Sequence, residues 1–121
     1  MLNVVHFEIC VDDLESAVAF YSSVFDWKIE PAEDDTDYLL IDGGENGEGI
    51  PGGLSRRFDE LNSTINTIEV PSLDSYARKI TENGGKVLAP KVPIPGQGYV
   101  QYCHDPEGNI FGIMEFDKAA Q

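Results

Sequence analysis

The chain has 121 residues, 41% of them hydrophobic, a length and content that suit one compact domain with an ordinary core. It carries 22 acidic residues against 8 basic ones, a net charge of −14, which makes phosphate backbones poor partners and excludes nucleic acid. No run of ~18 apolar residues exists to span a membrane, and the start lacks a basic, then apolar, leader pattern, so the expected setting is cytoplasmic.

Val4 to Val11 alternates, which predicts a strand. Val5, Phe7, Ile9 and Val11 form an apolar face that should pack on a helix. Val4, His6, Glu8 and Cys10 form a face that must meet water, a ligand or partners, because an unpaired buried charge is costly. Asp12 with Glu15 three residues later reads as a capping box. Leu14, Ala17, Val18, Tyr21, Val24 and Phe25 follow at helical spacing, and the helix should end near Asp26. Trp27 to Glu30, Tyr38 to Ile41 and Ile50 to Arg56 read as short strands. Turn-rich segments separate them, Asp42-Gly43-Gly44 and Glu45-Asn46-Gly47 among them.

The second half repeats this plan at an offset of 59 residues. Ile9, Val11 and Leu14 match Ile68, Val70 and Leu73; Gly53 and Leu54 match Gly112 and Ile113. Thr64 to Val70 is a strand. Ser72 caps a helix bearing Leu73, Tyr76, Ala77 and Ile80, and Gly84-Gly85 stops it. Lys86 to Lys91, Tyr99 to His104 and Asn109 to Phe116 are strands. Pro93 to Gly98 is a constrained loop, and Asp105-Pro106-Glu107-Gly108 a tight turn. The fold class is therefore α+β: two tandem βαβββ modules, residues 3–57 and 64–117, joined by a connector at 58–63.

These residues carry a family likeness. His6 before an Asp12-Asp13-Leu14 helix start, then Ala19-Phe20-Tyr21-Ser22-Ser23-Val24-Phe25-Asp26-Trp27, resembles the vicinal oxygen chelate superfamily. That group includes glyoxalase I, extradiol dioxygenases and the fosfomycin and bleomycin resistance proteins. Glu82-Asn83-Gly84-Gly85-Lys86-Val87 and Asp105-Pro106-Glu107-Gly108-Asn109 are similar to it. Pro51-Gly52-Gly53-Leu54 and Phe111-Gly112-Ile113-Met114 resemble its glyoxalase-related subgroup. The resemblance implies a cup-shaped mixed sheet, a homodimer, and a small-molecule ligand held between the paired modules. It also implies that metal-dependent members draw ligands from the first and fourth strand of each module. Those positions here are His6, Ile65, Gly53 and Gly112, of which only His6 could bind a metal. The expected cofactor is therefore none. A divalent metal on a substitute set of His6, Glu8 and Glu69 stands as the alternative.

His6 and Glu8 are the candidates for acid–base work, or equally a hydrogen-bonded pair lining a wet cleft. Cys10, Gly53, Ser55, Thr67, Glu69, Tyr102, Gly112 and Met114 are the candidate ligand contacts. Cys10 and Cys103, with no CxxC, read as buried reduced thiols. Arg56-Arg57 is either an anion grip or a rim salt bridge. Cys103-His104-Asp105 is no triad, since adjacent strand residues face opposite ways. Three functions remain: a metal-free small-molecule-binding protein, a metal-dependent lyase or isomerase resembling glyoxalase I, and a sequestering protein for cationic compounds resembling the bleomycin resistance type.

Overall fold

The computed structural model describes residues 1–32, 35–42, 49–57 and 64–121. The connector 58–63 and most of the turns after Asp42 lie outside them.

The first module runs β1 (Val4–Val11), α1 (Leu14–Phe25), β2 (Ile29–Ala32), β3 (Asp35–Ile41) and β4 (Gly52–Arg56). Its strands lie in the order β2-β3-β4-β1. Only the β1–β4 pair is parallel. Asp13, not Asp12, caps α1: its carboxylate accepts the Ser16 N–H at 3.1 Å. A cap binds the residue three ahead, and from Asp13 that residue is Ser16, so the capping box is absent. Asp12 instead pairs with Arg57 at 3.1 Å. The helix ends where Asp26 turns left-handed at φ 60 and its N–H reaches the Ser22 carbonyl. Trp27 does not open the next strand. Its ring stacks on Tyr21 at 5.1 Å, and β2 begins at Ile29. Leu14, Ile41 and Leu54 centre the core, with Phe7, Ile9 and Val11 from one face of β1 packed against them.

The second module runs β5 (Thr64–Glu69), α2 (Leu73–Glu82), β6 (Lys86–Val87), β7 (Val92–Ile94), β8 (Gly98–His104) and β9 (Ile110–Phe116). The order is β5-β9-β8-β6, with β7 also on β8. Ser72 caps α2, accepting the Ser75 N–H at 3.3 Å, and Gly85 closes its end on the Ile80 carbonyl at 2.8 Å. The expected strand Lys86 to Lys91 stops at Val87, ahead of Pro90, which has no N–H for a ladder. The expected loop Pro93 to Gly98 is partly strand, because Val92–Ile94 pairs with β8. The turn proper is Ile94-Pro95-Gly96-Gln97, closed by Gln97 N–H to the Ile94 carbonyl at 2.9 Å. Proline second and glycine third, the latter at φ 76, are what a type II turn demands. Val70, Leu73, Cys103 and Ile113 centre this core. Met1–Val5 associate with residues 66–121 rather than with the rest of the first module. The Leu2 N–H and Asn3 carbonyl each bond Glu69 backbone at 2.9 Å.

The 59-residue offset holds in the pairing itself. Glu8 pairs Gly53 and Cys10 pairs Ser55, while Thr67 pairs Gly112 and Glu69 pairs Met114. Leu54 and Ile113 are matched positions, each 2% exposed or less. Leu54→Ala should lose ~2–5 kcal/mol in urea denaturation through a core cavity. Leu40→Ala, at a position 48% exposed, should lose less than ~1 kcal/mol.

Candidate functional site

The first module gathers its polar groups on the sheet face away from α1. With Phe7, Ile9 and Val11 in the core, alternation turns His6, Glu8 and Cys10 to the opposite face. Directly paired residues share a face. One row therefore holds Tyr38, Ser55 and Cys10, and the next holds Leu40, Gly53 and Glu8.

Tyr38 crosses these rows. Its hydroxyl lies 2.8 Å from His6 Nε2. The path runs over Gly53, where an added Cβ would collide with the Tyr38 hydroxyl and ring. Beside this couple the Ser55 hydroxyl donates to Cys10 Sγ at 3.7 Å. Glu8 is buried, 6% exposed, so the face is not open to water at that point as the alternation suggested.

The electrostatics make most of this cluster neutral. Burial holds the His6 imidazole below its usual range. Tyr38 is pushed up, first by burial and then by the charge of Glu8. The phenol keeps its proton and can donate it to a neutral imidazole. The bond pairs one donor with one acceptor, and which ring nitrogen carries the hydrogen sets its direction. Cys10 is also raised, chiefly by burial, which keeps it a thiol and a poor nucleophile.

The corresponding face of the second module carries Thr67, Glu69, Gly112, Met114 and Tyr102. Thr67 and Met114 are buried, Glu69 and Tyr102 half-buried. Tyr102 pairs Gly112, and the Thr67 hydroxyl stands 2.8 Å from where a Cβ at Gly112 would lie. Thus His6, Glu8, Cys10, Gly53 and Ser55 form one cluster within the first module. The remaining candidates lie on the sheet of the second.

Tyr38 was missed from sequence. The internal repeat could not flag it, because its counterpart 59 residues on is Gln97, in a turn. The available signal was alternation: Leu39 and Ile41 pack in the core, which turns Tyr38 to the other face beside a Gly-Gly strand. Arg56 and Arg57 take the salt-bridge reading, paired with Asp37 at 2.6 Å and Asp12 at 3.1 Å. Cys103 is fully buried on the helix side, its thiol pushed up to about 11 by burial.

Comparison with known proteins places this geometry. Solved structures align along nearly the whole chain. A hypothetical protein from Bacillus halodurans C-125 matches at TM-score 0.66 and 17% identity, over 98% of this chain and 97% of that one. Methylmalonyl-CoA epimerase from Mycobacterium tuberculosis matches at TM-score 0.65 and 17% identity, over 94% and 87%. A Mn(II)-bound glyoxalase from Novosphingobium aromaticivorans matches at TM-score 0.66 and 21% identity, over 98% of this chain and 40% of that one. The chain has the vicinal oxygen chelate fold. The sequence model for the bleomycin resistance protein-like N-terminal region matches residues 3–44 of it. No curated protein matches in sequence.

Of the four positions that the family resemblance gives for metal ligands, three carry no side-chain donor. Ile65 is buried hydrocarbon. The side-chain space at Gly53 is taken by Tyr38, and that at Gly112 is crowded by Thr67. His6 Nε2 is engaged by Tyr38. Among the described residues no group of three or more His, Cys, Asp or Glu could hold an ion. No helix of the described residues is long and apolar enough to cross a membrane.

The lowered imidazole gives a pH dependence. In the unfolded chain His6 takes a proton near 6.5; in the folded protein it does so only at lower pH. Below that value the unfolded state binds more protons, so stability falls as pH falls from 6.5 towards the folded value. In urea denaturation at pH 7.5 and 5.5, His6→Gln should lose less stability between the two than the wild type does.

Proposed function

We propose that this chain binds a small organic molecule on the polar face of its first module, and that it does so without a metal. The carrying observation is the neutral His6–Tyr38 couple beside buried Glu8, at the first-strand position where metal-dependent members of the fold place a ligand. The Glu8 carboxyl group and the oxygens of the Tyr38 and Ser55 hydroxyls make a site rich in acceptors. Such a face suits a ligand bearing N–H or O–H donors. Half-exposed Leu40 in the Glu8 row offers an apolar wall for the rest of it.

Charge sets the ligand class. At −14 the protein repels phosphates and carboxylates, and its Arg56 and Arg57 are engaged with carboxylates. A neutral or cationic molecule is therefore favoured over an acyl-coenzyme A of the kind the epimerase neighbour's name implies. Sequestration of such a compound, without turnover, is the form of activity preferred. A cytoplasmic setting suits the two buried free thiols. A second reading, proton transfer on a bound substrate, rests on the proximity of His6 and Glu8 on one strand face. Deuterium exchange from solvent into a bound compound separates it from sequestration.

Protein purified without added metal should carry far less than one equivalent of Zn, Ni, Mn or Fe by elemental analysis. Stoichiometric metal that is lost in His6→Ala contradicts the metal-free reading. The binding reading is tested by NMR titration with a panel of organic amines and acyl-coenzyme A thioesters. Amines should shift the His6 and Tyr38 ring signals, and Glu8→Gln should weaken those shifts. Thioesters alone perturbing these rings would overturn the assigned ligand class.

A further inference from the structure

The end of α2 is held by three backbone N–H groups and one side chain. The Asn83 N–H reaches the Lys79 and Ile80 carbonyls at 3.0 and 3.2 Å, the Gly84 N–H the Thr81 carbonyl at 3.3 Å, and the Gly85 N–H the Ile80 carbonyl at 2.8 Å. The last two bonds, nested one inside the other, form the Schellman pattern that satisfies carbonyls left over at a helix end. Gly84 is left-handed at φ 92, which glycine alone adopts without strain. Gly85 is equally fixed: a Cβ there would meet the Ile80 side chain at 2.7 Å and the His104 carbonyl at 2.8 Å. Ahead of these glycines stands Asn83, exposed, its side-chain amide donating to the Lys79 carbonyl at 2.7 Å.

Asparagine followed by glycine is a reactive pair. The glycine nitrogen is an internal nucleophile for the asparagine side-chain carbonyl, and without a Cβ on the glycine little hinders the approach. In the closed cap both reactants are engaged, the Gly84 N–H with Thr81 and the Asn83 amide with Lys79. Opening of the last turn releases both at once, and helix ends open far more readily than a core does. The shared plan of the repeat does not demand such a pair. The matched helix α1 ends on left-handed Asp26, followed by Trp27, with no side-chain amide to lose.

We propose that the end of α2 is a site of covalent self-modification gated by its cap, where Asn83 becomes aspartate or isoaspartate when the last turn opens. The Gly84 nitrogen bonds to the Asn83 side-chain carbonyl carbon. The bond from that carbon to the side-chain nitrogen breaks, the Gly84 proton leaves with that nitrogen as ammonia, and a five-membered imide remains. Water then opens the imide at one of its two carbonyls. One opening restores the main chain and leaves aspartate; the other routes the main chain through the side chain and leaves isoaspartate. Solvent water is the only co-reactant, and no electrons are exchanged. Neither product can rebuild the cap. A carboxylate cannot donate to the Lys79 carbonyl, and it sets a negative charge at the negative end of the helix. Isoaspartate also adds a methylene to the main chain, which moves Gly84 and Gly85 off the carbonyls they bond. The change runs one way and marks molecules whose second helix has opened.

Peptide mapping after incubation at pH 7.5 in heavy-oxygen water tests this, because each imide that opens takes up one labelled oxygen. Mapping also separates Asn83-Gly84 from the other such pair, Asn46-Gly47. Label should enter residue 83 of the folded wild type ~10-fold or more slowly than in the chain unfolded by guanidinium, since only the opened fraction reacts. Gly85→Ala keeps the reactive pair and strains the cap, so this variant, folded, should take up label faster than the wild type. A measurement on the wild type alone covers the case in which that variant does not fold. Across sub-denaturing guanidinium, hydrogen exchange at the Gly84 and Gly85 amides and labelling at residue 83 should rise together. Equal rates in the folded and unfolded chain, no label at residue 83 in the folded protein however long it is kept, a folded Gly85→Ala no faster than the wild type, or labelling that stays flat while exchange rises would each overturn the proposal.

Discussion

Tyr38 can reach His6 only because residue 53 has no side chain, and that contact organises the polar face of the first module. The ring lies across the strand between β3 and β1, with its hydroxyl on the imidazole. It fills the space from which a carboxylate at position 53 would otherwise project. The same burial that holds His6 neutral keeps the phenol protonated, so the two groups satisfy each other without an ion. The charge of Glu8 raises the phenol further, and the Ser55 hydroxyl donates to Cys10 in the row that Tyr38 shares.

The repeat shows how little backbone change such a difference needs. Both modules keep one pairing register and one capping geometry, with Asp13 and Ser72 each accepting from the residue three ahead. On that shared frame His6 corresponds to Ile65, Glu8 to Thr67 and Ser55 to Met114. The first module's face became a hydrogen-bonded cluster, while two of its matched positions in the second became apolar. The helices diverged in the other direction, α2 taking charge on its outer face and α1 keeping aromatic rings. Backbone hydrogen bonding fixes the frame, and side-chain chemistry is free to vary upon it.

Much of the architecture was legible in the sequence because it rests on periodicity. Alternation along Val4 to Val11 separated the two faces of β1, and helical spacing after Asp13 marked the buried side of α1. The errors sit where local chemistry decides between neighbours. Asp12 and Asp13 are both competent caps, and the distance to Ser16 selects the second. Trp27 has strand propensity but is drawn to Tyr21, and Pro90 cuts a run that otherwise reads as extended. His6, Glu8, Cys10 and Ser55 were visible as an inward face. Tyr38 was not, because its role depends on a diagonal reach over a glycine, which neither periodicity nor the repeat records. The burial of Glu8 was equally hidden, since alternation gives direction and not depth.

The claim that Tyr38 and a side chain at position 53 compete for one space is tested most directly by a double-mutant cycle. Gly53→Ala is measured by chemical denaturation in the wild type and in Tyr38→Ser, with Tyr38→Ser alone completing the square. The account predicts that the added methyl costs stability beside Tyr38 and far less beside Ser, with a coupling of ~1–3 kcal/mol. An equal cost in both backgrounds would contradict it, and the account of how Tyr38 occupies the side-chain space at position 53 would fail with it.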